Sequence, residues 1–306
     1  MIYGDVELYN VEDLIESEGG DGWLLSRIPN RLRVTLNEGA KKKALYPAGC
    51  EIRFNLEGDS AKVVLACEGE TPGIAEVFQG NFQVSWHLIA NEPTEISLTL
   101  PQNVKLLYKV ARERGLPFDP YLTRVILPHL QTVRLIDIKG ETSPPREEQV
   151  PKIKYLAYGS SITHGSAAIR PTGSYAMKTA QILGVDLINL GFGGGAHCER
   201  QIADYIAQRD DWSFATMELG INMINWFGVE EFRERVEYLI ERVARSHSEK
   251  WIFCIDLFTF YADFDPSSKK QNEFRRVVRE AVEKLGMPRL IHLDGRTILK
   301  GISGLT

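Results

Sequence analysis

The sequence predicts an α/β protein in which a flavodoxin-like, three-layer parallel sheet is preceded by an antiparallel β-sandwich domain. In the first half of the chain, short alternating or β-branched runs are separated by turn residues at the spacing of a sandwich. In the second half, apolar strands alternate with amphipathic stretches, which indicates a parallel sheet with helices on both faces. A polar, proline-containing segment between the halves is typical of a linker. We therefore expect a jelly-roll-like domain at residues 1–142, a linker at 143–151 and a second domain at 152–306.

The individual elements follow from the period of the apolar residues. The strands predicted for the first domain share alternation or β-branching, and they are Ala61–Ala66, Phe82–Ile89, Thr94–Leu100, Thr123–Leu127 and Thr132–Ile138. The strands predicted for the second domain are short continuous apolar runs, namely Ile153–Tyr158, Val185–Leu190, Phe214–Leu219, Trp251–Asp256 and Leu290–Asp294. The helices predicted between them are Ser174–Leu183, Glu199–Arg209, Glu230–Ser246 and Lys269–Leu285.

Composition excludes several classes of function. The formal net charge is -5 and the one basic triplet is Lys41–Lys43, which argues against a nucleic-acid partner because phosphate binding needs clustered cations. We see no export signal at the N-terminus and no apolar run of membrane-spanning length. The four cysteines lack metal-like spacing and are interpreted as reduced thiols of a cytoplasmic protein. We expect no metal, no organic cofactor and no membrane partner, while an oligomer is compatible with the sequence.

Three loops of the second domain contain the candidate catalytic residues. Each follows a predicted parallel strand: YGSSITHG at 158–165, NLGFGGGAHCE at 189–199 and ELGINM at 218–223. Since ligands of parallel sheets bind at the carboxyl ends of the strands, these loops should converge at one edge. A serine at a tight turn, a glycine amide and an asparagine side chain are the parts of a nucleophile and an oxyanion hole.

The three loops resemble blocks I, II and III of the SGNH (GDSL-type) hydrolases, in the order that this family has. YGSSITHG resembles the GDSxT block, NLGFGG resembles NxGxxG and LGINM resembles GxND. The resemblance spans about residues 150–306 and implies the SGNH hydrolase fold, and some members carry an N-terminal sandwich domain. It implies that Ser161 is the nucleophile and that the Ser161 amide, the Gly194 amide and the Asn222 side chain form the oxyanion hole.

The sequence departs from the family pattern in three places. Ser160 and Met223 stand where the family usually has Asp, and neither change removes a reacting group. The third departure is the DxxH block, which supplies the general base His and its Asp. No Asp or Glu has a His three positions later, and the chain given ends at Thr306 shortly after the last strand. We therefore expect the base to lie beyond Thr306 and the last helix to be missing from residues 152–306, with the base and its Asp unknown.

Other histidines and serines have simpler interpretations. Ser160, His164 and His197 lie near the expected pocket and are candidate substrate contacts, although Ser160 and Ser161 alone could equally be turn or N-cap residues. The histidines assigned structural or solvated positions are His87, His129, His247 and His292.

A dinucleotide site is the rival interpretation of the glycine-rich loop. Gly191, Gly193 and Ala196 satisfy GxGxxA after a strand, and Glu218 ends the next strand. This alternative explains neither the serine loop nor Asn222.

The resemblance implies ester hydrolysis through a covalent Ser161 intermediate, without a metal or cofactor. The expected substrates are small-molecule esters with short acyl groups, and acetyl esters of carbohydrates are one candidate. Acyl transfer to another acceptor would use the same residues. A catalytically incomplete, ligand-binding relative of the family is the alternative from a different class.

Overall fold

The computed structural model describes residues 1–19 and 21–300, and their strands form two sheets. Within these residues, the N-terminal half contributes all ten strands of an antiparallel sheet, sheet A. The elements of this half are β1 (Ile2–Tyr3), β2 (Val6–Tyr9), β3 (Asp13–Glu16), β4 (Trp23–Ser26), α1 (Asn30–Arg33), α2 (Glu38–Lys43), β5 (Glu51–Cys67), β6 (Gly73–Gln79), β7 (Phe82–Ile89), β8 (Thr94–Leu98), α3 (Val104–Arg114), β9 (Leu122–Ile126) and β10 (Val133–Ser143).

The long strand β5 holds sheet A together. Its first part pairs with β2 and β9, its last part pairs with β8, and β10 pairs with it from Asn55 to Cys67. The inward-facing side chains of these strands, such as Phe54, Val63 and Leu135, form one apolar cluster. Burial of this shared surface is the main stabilising contribution to the N-terminal half.

The C-terminal half forms a parallel five-stranded sheet, sheet B, with the strand order β12-β11-β13-β14-β15. This is the 2-1-3-4-5 order of a flavodoxin-like fold, which confirms the predicted fold class. Its elements are β11 (Lys154–Gly159), α4 (Ser161–His164), α5 (Tyr175–Leu183), β12 (Asp186–Gly191), α6 (Arg200–Gln208), β13 (Phe214–Glu218), α7 (Val229–Ser246), β14 (Trp251–Ile255), α8 (Lys270–Leu285), β15 (Leu290–Leu293) and α9 (Gly295–Ile298).

Helices cover sheet B from both sides because successive side chains of a strand point to opposite faces. On β11, Leu156 and Tyr158 belong to the cluster that contains the apolar residues of α6, α7 and α8. Tyr155 and Ala157 belong to the cluster that contains Ala176, Met177 and Ala180 of α5. The central strands are therefore buried on both faces, as their continuous apolar runs predicted.

The two halves share a core. Ile28, Leu36, Ala40 and Ala44 come from the segment between β4 and β5, and they are buried in the same cluster as β12 and α6. The expected linker is also anchored. The side chains of Gln149 and Asn55 donate to each other, at 2.7 and 3.0 Å. The region at 143–151 thus packs against sheet A.

No helix among the described residues is long and apolar enough to cross a membrane.

Candidate active site

The loop after β11 presents Ser161 at the first turn of α4. Ser160 is the N-cap of this short helix, and its hydroxyl accepts a hydrogen bond from the Ile162 amide at 3.1 Å. Ser160 is 1% exposed, whereas Ser161 is half-buried and lines a cavity. The tight turn therefore buries the first serine of the pair and directs the second towards the open space.

Glu218, the last residue of β13, lies directly beneath this turn. Its Oε2 accepts hydrogen bonds from the Ser160 amide at 2.7 Å, the Ser160 hydroxyl at 2.5 Å and the Thr163 hydroxyl at 3.2 Å. Burial raises the pKa of the Glu218 carboxyl, while the hydrogen bonds from Ser160 and Thr163 oppose that shift. In the sequence, Glu218 entered only the dinucleotide alternative, as the acidic residue at the end of the next strand. In the structure this carboxylate holds the serine turn, which disfavours that alternative.

The glycine-rich loop, residues 191–199, lies against the serine turn. A Cβ added to Gly193 would lie 3.3 Å from Ser161 Cβ, so the two backbones approach closely. Gly194 has φ +77°, a left-handed conformation that glycine adopts without strain, and it is exposed. Asn189 fixes the start of the loop, since its side chain accepts from the Gly191 amide at 2.8 Å and donates to Thr163 O at 3.0 Å.

Asn222 joins the third loop to the glycine-rich loop. Its Oδ1 accepts a hydrogen bond from the Ala196 amide at 3.2 Å, which fixes the rotation of the side-chain amide. The next residue, Met223, is fully buried in the core that sheet B shares with α6–α8. The methionine that replaces the family's Asp is therefore a packing residue, and Asn222 keeps its polar position without it.

Two candidate contacts, His164 and His197, do not line the cavity beside Ser161. His164 is 1% exposed, and its ring nitrogens lie 3.1 Å from Gly191 O and 2.6 Å from His129 O. Burial and the nearby Arg27 lower the pKa of His164 to about 3. His197 packs edge-on against Phe227, and burial lowers its pKa although the Glu199 carboxylate opposes the shift.

His292 also lies away from Ser161. Its Nε2 is 2.8 Å from Asp256 Oδ2, and Asp256 Oδ1 accepts from the Gly295 amide at 2.8 Å. His292 is paired in register with Cys254, whose side chain lies in the core on the α7 and α8 side of the sheet. Among the described residues, no histidine is hydrogen-bonded to Ser161 Oγ.

A cavity of about 1020 Å³ adjoins Ser161. Near the serine, apolar side chains from three loops line it, and exposed Ser166 and Asn225 lie at its edge. Deeper in, the cavity follows the α5 face of sheet B along Tyr155 and Thr216. The apolar residues nearest the carboxyl edge of the sheet are Ile162, Ile221, Ile224, Phe258, Phe260 and Tyr261. The space beside the serine thus suits an apolar acyl group better than a charged one.

No group of three or more His, Cys, Asp or Glu side chains in the described part of the chain could hold a metal ion.

Together, the fold and the three adjoining loops define a class of protein. It is an α/β domain in which a serine turn opens onto a cavity at the carboxyl edge of a 2-1-3-4-5 sheet, where the strand order reverses. Residues 153–290 match the model of the GDSL-like Lipase/Acylhydrolase family. This match confirms the resemblance to the GDSL-type hydrolases that the three motifs carry. No curated protein sequence matches the chain.

Solved structures with the same fold extend the similarity to the N-terminal half. Salicylyl-acyltransferase SsfX3 from a tetracycline biosynthetic pathway has 17% identity and a TM-score of 0.81, and the match covers 98% of this chain and 86% of that one. A family two carbohydrate esterase from Clostridium thermocellum, in complex with cellohexaose, has 15% identity and a TM-score of 0.54, covering 81% and 82%. The family two carbohydrate esterase from Cellvibrio japonicus has 12% identity and a TM-score of 0.59, covering 95% and 86%.

Proposed function

We propose that this protein is a serine esterase or acyltransferase in which Ser161 is the nucleophile. The main support for the proposal is that the loop after β12 contacts both the loop after β11, at Ser161, and the loop after β13, at Asn222. Gly193 approaches the Ser161 backbone, and the Ala196 amide donates to Asn222 at 3.2 Å. Acyl transfer requires a nucleophile with preorganised hydrogen-bond donors beside it, and the contacts among these three loops support such an arrangement.

In the proposed mechanism, Ser161 Oγ attacks the ester carbonyl. The oxyanion that forms accepts hydrogen bonds from the Ser161 amide, the Gly194 amide and Asn222 Nδ2. The alcohol departs and leaves an acyl group on Ser161, which water or another hydroxyl then removes. No described histidine is hydrogen-bonded to Ser161, so no general base is assigned. The serine hydroxyl loses its proton to solvent, and the departing alkoxide takes a proton from solvent.

Short acyl esters are the proposed substrates, because the described surface that lines the cavity beside Ser161 is mostly apolar and carries no charged side chain. The carbohydrate esterases among the similar structures make acetyl esters of sugars one candidate, and the acyltransferase makes a second hydroxyl compound a candidate acceptor. All four cysteines are buried free thiols, which supports the expected reducing, cytoplasmic compartment within this proposal.

The test separates acylation from turnover. The chain is mixed with p-nitrophenyl acetate, whose leaving group departs as an anion, and release of nitrophenolate is followed together with the intact protein mass. We expect one acetyl group to be added per chain and to stay attached to Ser161 longer than in a serine esterase whose serine is hydrogen-bonded to a histidine, because deacylation also needs a base. Ser161→Ala should remove the added mass.

Ser166→Ala is the matched control, since Ser166 is an exposed serine at the same cavity. It should acylate as the unchanged chain does. Equal acylation of the unchanged chain and Ser161→Ala would refute the proposal and favour a ligand-binding relative of the family.

A further inference from the structure

The glycine-rich loop has little rigidity of its own. Gly191, Gly193, Gly194 and Gly195 lack side chains that could pack, and glycine loses more conformational entropy on ordering than any other residue. An oxyanion hole, however, works only if its donors are held in place before the reaction. The contacts that hold this loop are therefore part of how the site would function.

A buried arginine from the N-terminal half binds the start of the loop. Arg27 Nη1 donates to Asn189 O at 2.7 Å, and Arg27 Nη2 donates to Gly191 O at 2.8 Å. The remaining bonds of the guanidinium go to the carbonyls of Tyr46 and Lys43, both at 2.7 Å. Burial lowers the pKa of Arg27 to about 10, so the side chain remains a cation at neutral pH. All of its hydrogen-bond partners are backbone carbonyls, so the guanidinium holds the main chain of the loop against the main chain of the N-terminal half.

An asparagine from the same segment binds the far part of the loop. Asn37 Nδ2 donates to Gly195 O at 2.9 Å, and Asn37 also donates to the Glu199 carboxylate from its side chain at 3.1 Å and its amide at 2.8 Å. The same side chain caps α2, because its Oδ1 accepts from the Ala40 amide at 3.0 Å. One residue thus joins the start of α2 to both Gly195 and Glu199.

The backbone of α2 packs directly against the glycine-rich loop, beside the hydrogen bonds from Arg27 and Asn37. A Cβ added to Gly195 would lie 2.2 Å from the Ala40 nitrogen, and one added to Gly39 would lie 3.1 Å from Gly194 O. Gly195 therefore has no room for a side chain and Gly39 has little, which shows that the two backbones pack directly against each other. Gly194, whose amide is the proposed donor, is itself exposed. Its two neighbours in the chain are the packed residues: Gly193 approaches Ser161, and Gly195 packs against the backbone of α2.

We propose that Arg27 and Asn37 are positioning residues, through which the N-terminal half holds the glycine-rich loop in the geometry that stabilises the oxyanion. This inference rests on the proposed function of Ser161. It gives the N-terminal half an indirect part in the reaction, which acts through the glycine-rich loop because none of its residues touches Ser161 in the described contacts.

The test uses Asn37→Ser, because serine keeps an N-cap oxygen for α2 but cannot reach Gly195 O. We expect the acylation rate of Ser161 at saturating p-nitrophenyl acetate to fall roughly ten- to hundredfold, while the half-saturating ester concentration stays within about twofold. Arg27→Lys, which replaces the planar fork with a single ammonium, should act in the same direction.

Asn55→Ser is the matched control. It also removes a buried side-chain hydrogen bond of the N-terminal half, the one to Gln149, but it does not contact the glycine-rich loop. It should lower stability without changing the acylation rate. The inference would be overturned if Asn37→Ser acylated as fast as the unchanged chain. It would also be overturned if Asn37→Ser and Asn55→Ser lowered the acylation rate by the same factor.

Amide hydrogen exchange provides a readout that needs no activity. The amides of Gly195 and Ala196, which donate to Phe192 O and Asn222 Oδ1, should exchange about tenfold faster in Asn37→Ser than in Asn55→Ser. If the unchanged chain shows no acylation that depends on Ser161, the proposed function fails and exchange alone decides whether the loop is held from the N-terminal half. Equal exchange rates of the Gly195 and Ala196 amides in Asn37→Ser and Asn55→Ser would show that Asn37 does not hold the loop, and the inference would be overturned.

Discussion

Glu218 Oε2 accepts hydrogen bonds from both the amide and the hydroxyl of Ser160, at 2.7 and 2.5 Å. This pair links the last residue of β13 to the turn that follows β11, so the serine turn is held from a neighbouring strand. Ser160 stands where the GDSL-type hydrolases usually have Asp. Here the carboxylate comes from Glu218, and Ser160 supplies the donors.

Replacing Glu218 by Gln should change how stability depends on pH. Burial raises the pKa of Glu218 in the folded chain above its ordinary value of 4.5, so the folded chain holds this proton more tightly than the unfolded chain. Stability from this group is therefore fully present below about pH 4.5 and is lost as pH rises through the raised pKa. The difference in free energy of unfolding between the unchanged chain and Glu218→Gln should therefore decrease as pH rises from about 4.5 through the raised pKa of Glu218.

Urea unfolding at several pH values between about 4 and 8 measures this difference, because the other titrating groups cancel between the two proteins. The exposed Glu92→Gln is the control for the loss of one negative charge, and its difference should stay nearly flat. A flat difference for Glu218→Gln would contradict the effect assigned to burial.

Most elements of sheet B were predictable because their residues carry a local signal. β11 to β15 are short apolar runs with helical periods between them, and each predicted boundary lies within one or two residues of the observed one. Helix α3 had a signal that was missed: Asn103 precedes it, and Gly115, at φ +62°, ends it in a left-handed turn.

The roles of Arg27, Asn37 and Glu218 could not be predicted from a local pattern. Arg27 and Asn189 are 162 positions apart, and the serine turn and Glu218 meet only because β11 and β13 are neighbours in the sheet. The motif spacing predicted roles for Ser161, Gly194 and Asn222, whereas the contacts that hold their loops depend on the tertiary structure. A single sequence shows which residues could react and conceals which residues position them.

Asn222→Ala should lower the acylation rate of Ser161 about a hundredfold or more, because one preorganised donor to the oxyanion is lost. The reaction with p-nitrophenyl acetate, followed by nitrophenolate release and protein mass, measures it. Asn225→Ala is the matched control, since Asn225 is an exposed amide at the same cavity three positions later. Its rate should stay within about twofold of the unchanged chain. An unchanged rate in Asn222→Ala would exclude Asn222 from the oxyanion hole.

The final prediction concerns Arg53 and Asp186, which join the two sheets. Arg53 on β5 donates to both carboxylate oxygens of Asp186, the first residue of β12, at 2.8 and 2.6 Å. Its Nε donates to Glu51 at 2.8 Å, and Glu51 also binds Arg124. All four side chains are buried, and their charges balance. Removal of one partner would leave an uncompensated charge where water cannot reach it.

Asp186→Asn and Arg53→Met should therefore each reduce the free energy of unfolding by about 3–5 kcal/mol, as is found when one member of a buried ion pair is removed. The double variant should lose clearly less than the sum, because it leaves no isolated charge from this pair. Urea unfolding of the four proteins measures the coupling. The exposed pair Lys62 and Glu95 is the control, and its coupling should stay below about 1 kcal/mol. If the coupling between Arg53 and Asp186 were equally small, the ion pair would not be what holds β5 against β12, and the shared apolar core between β12 and the segment before β5 would have to supply that stability instead.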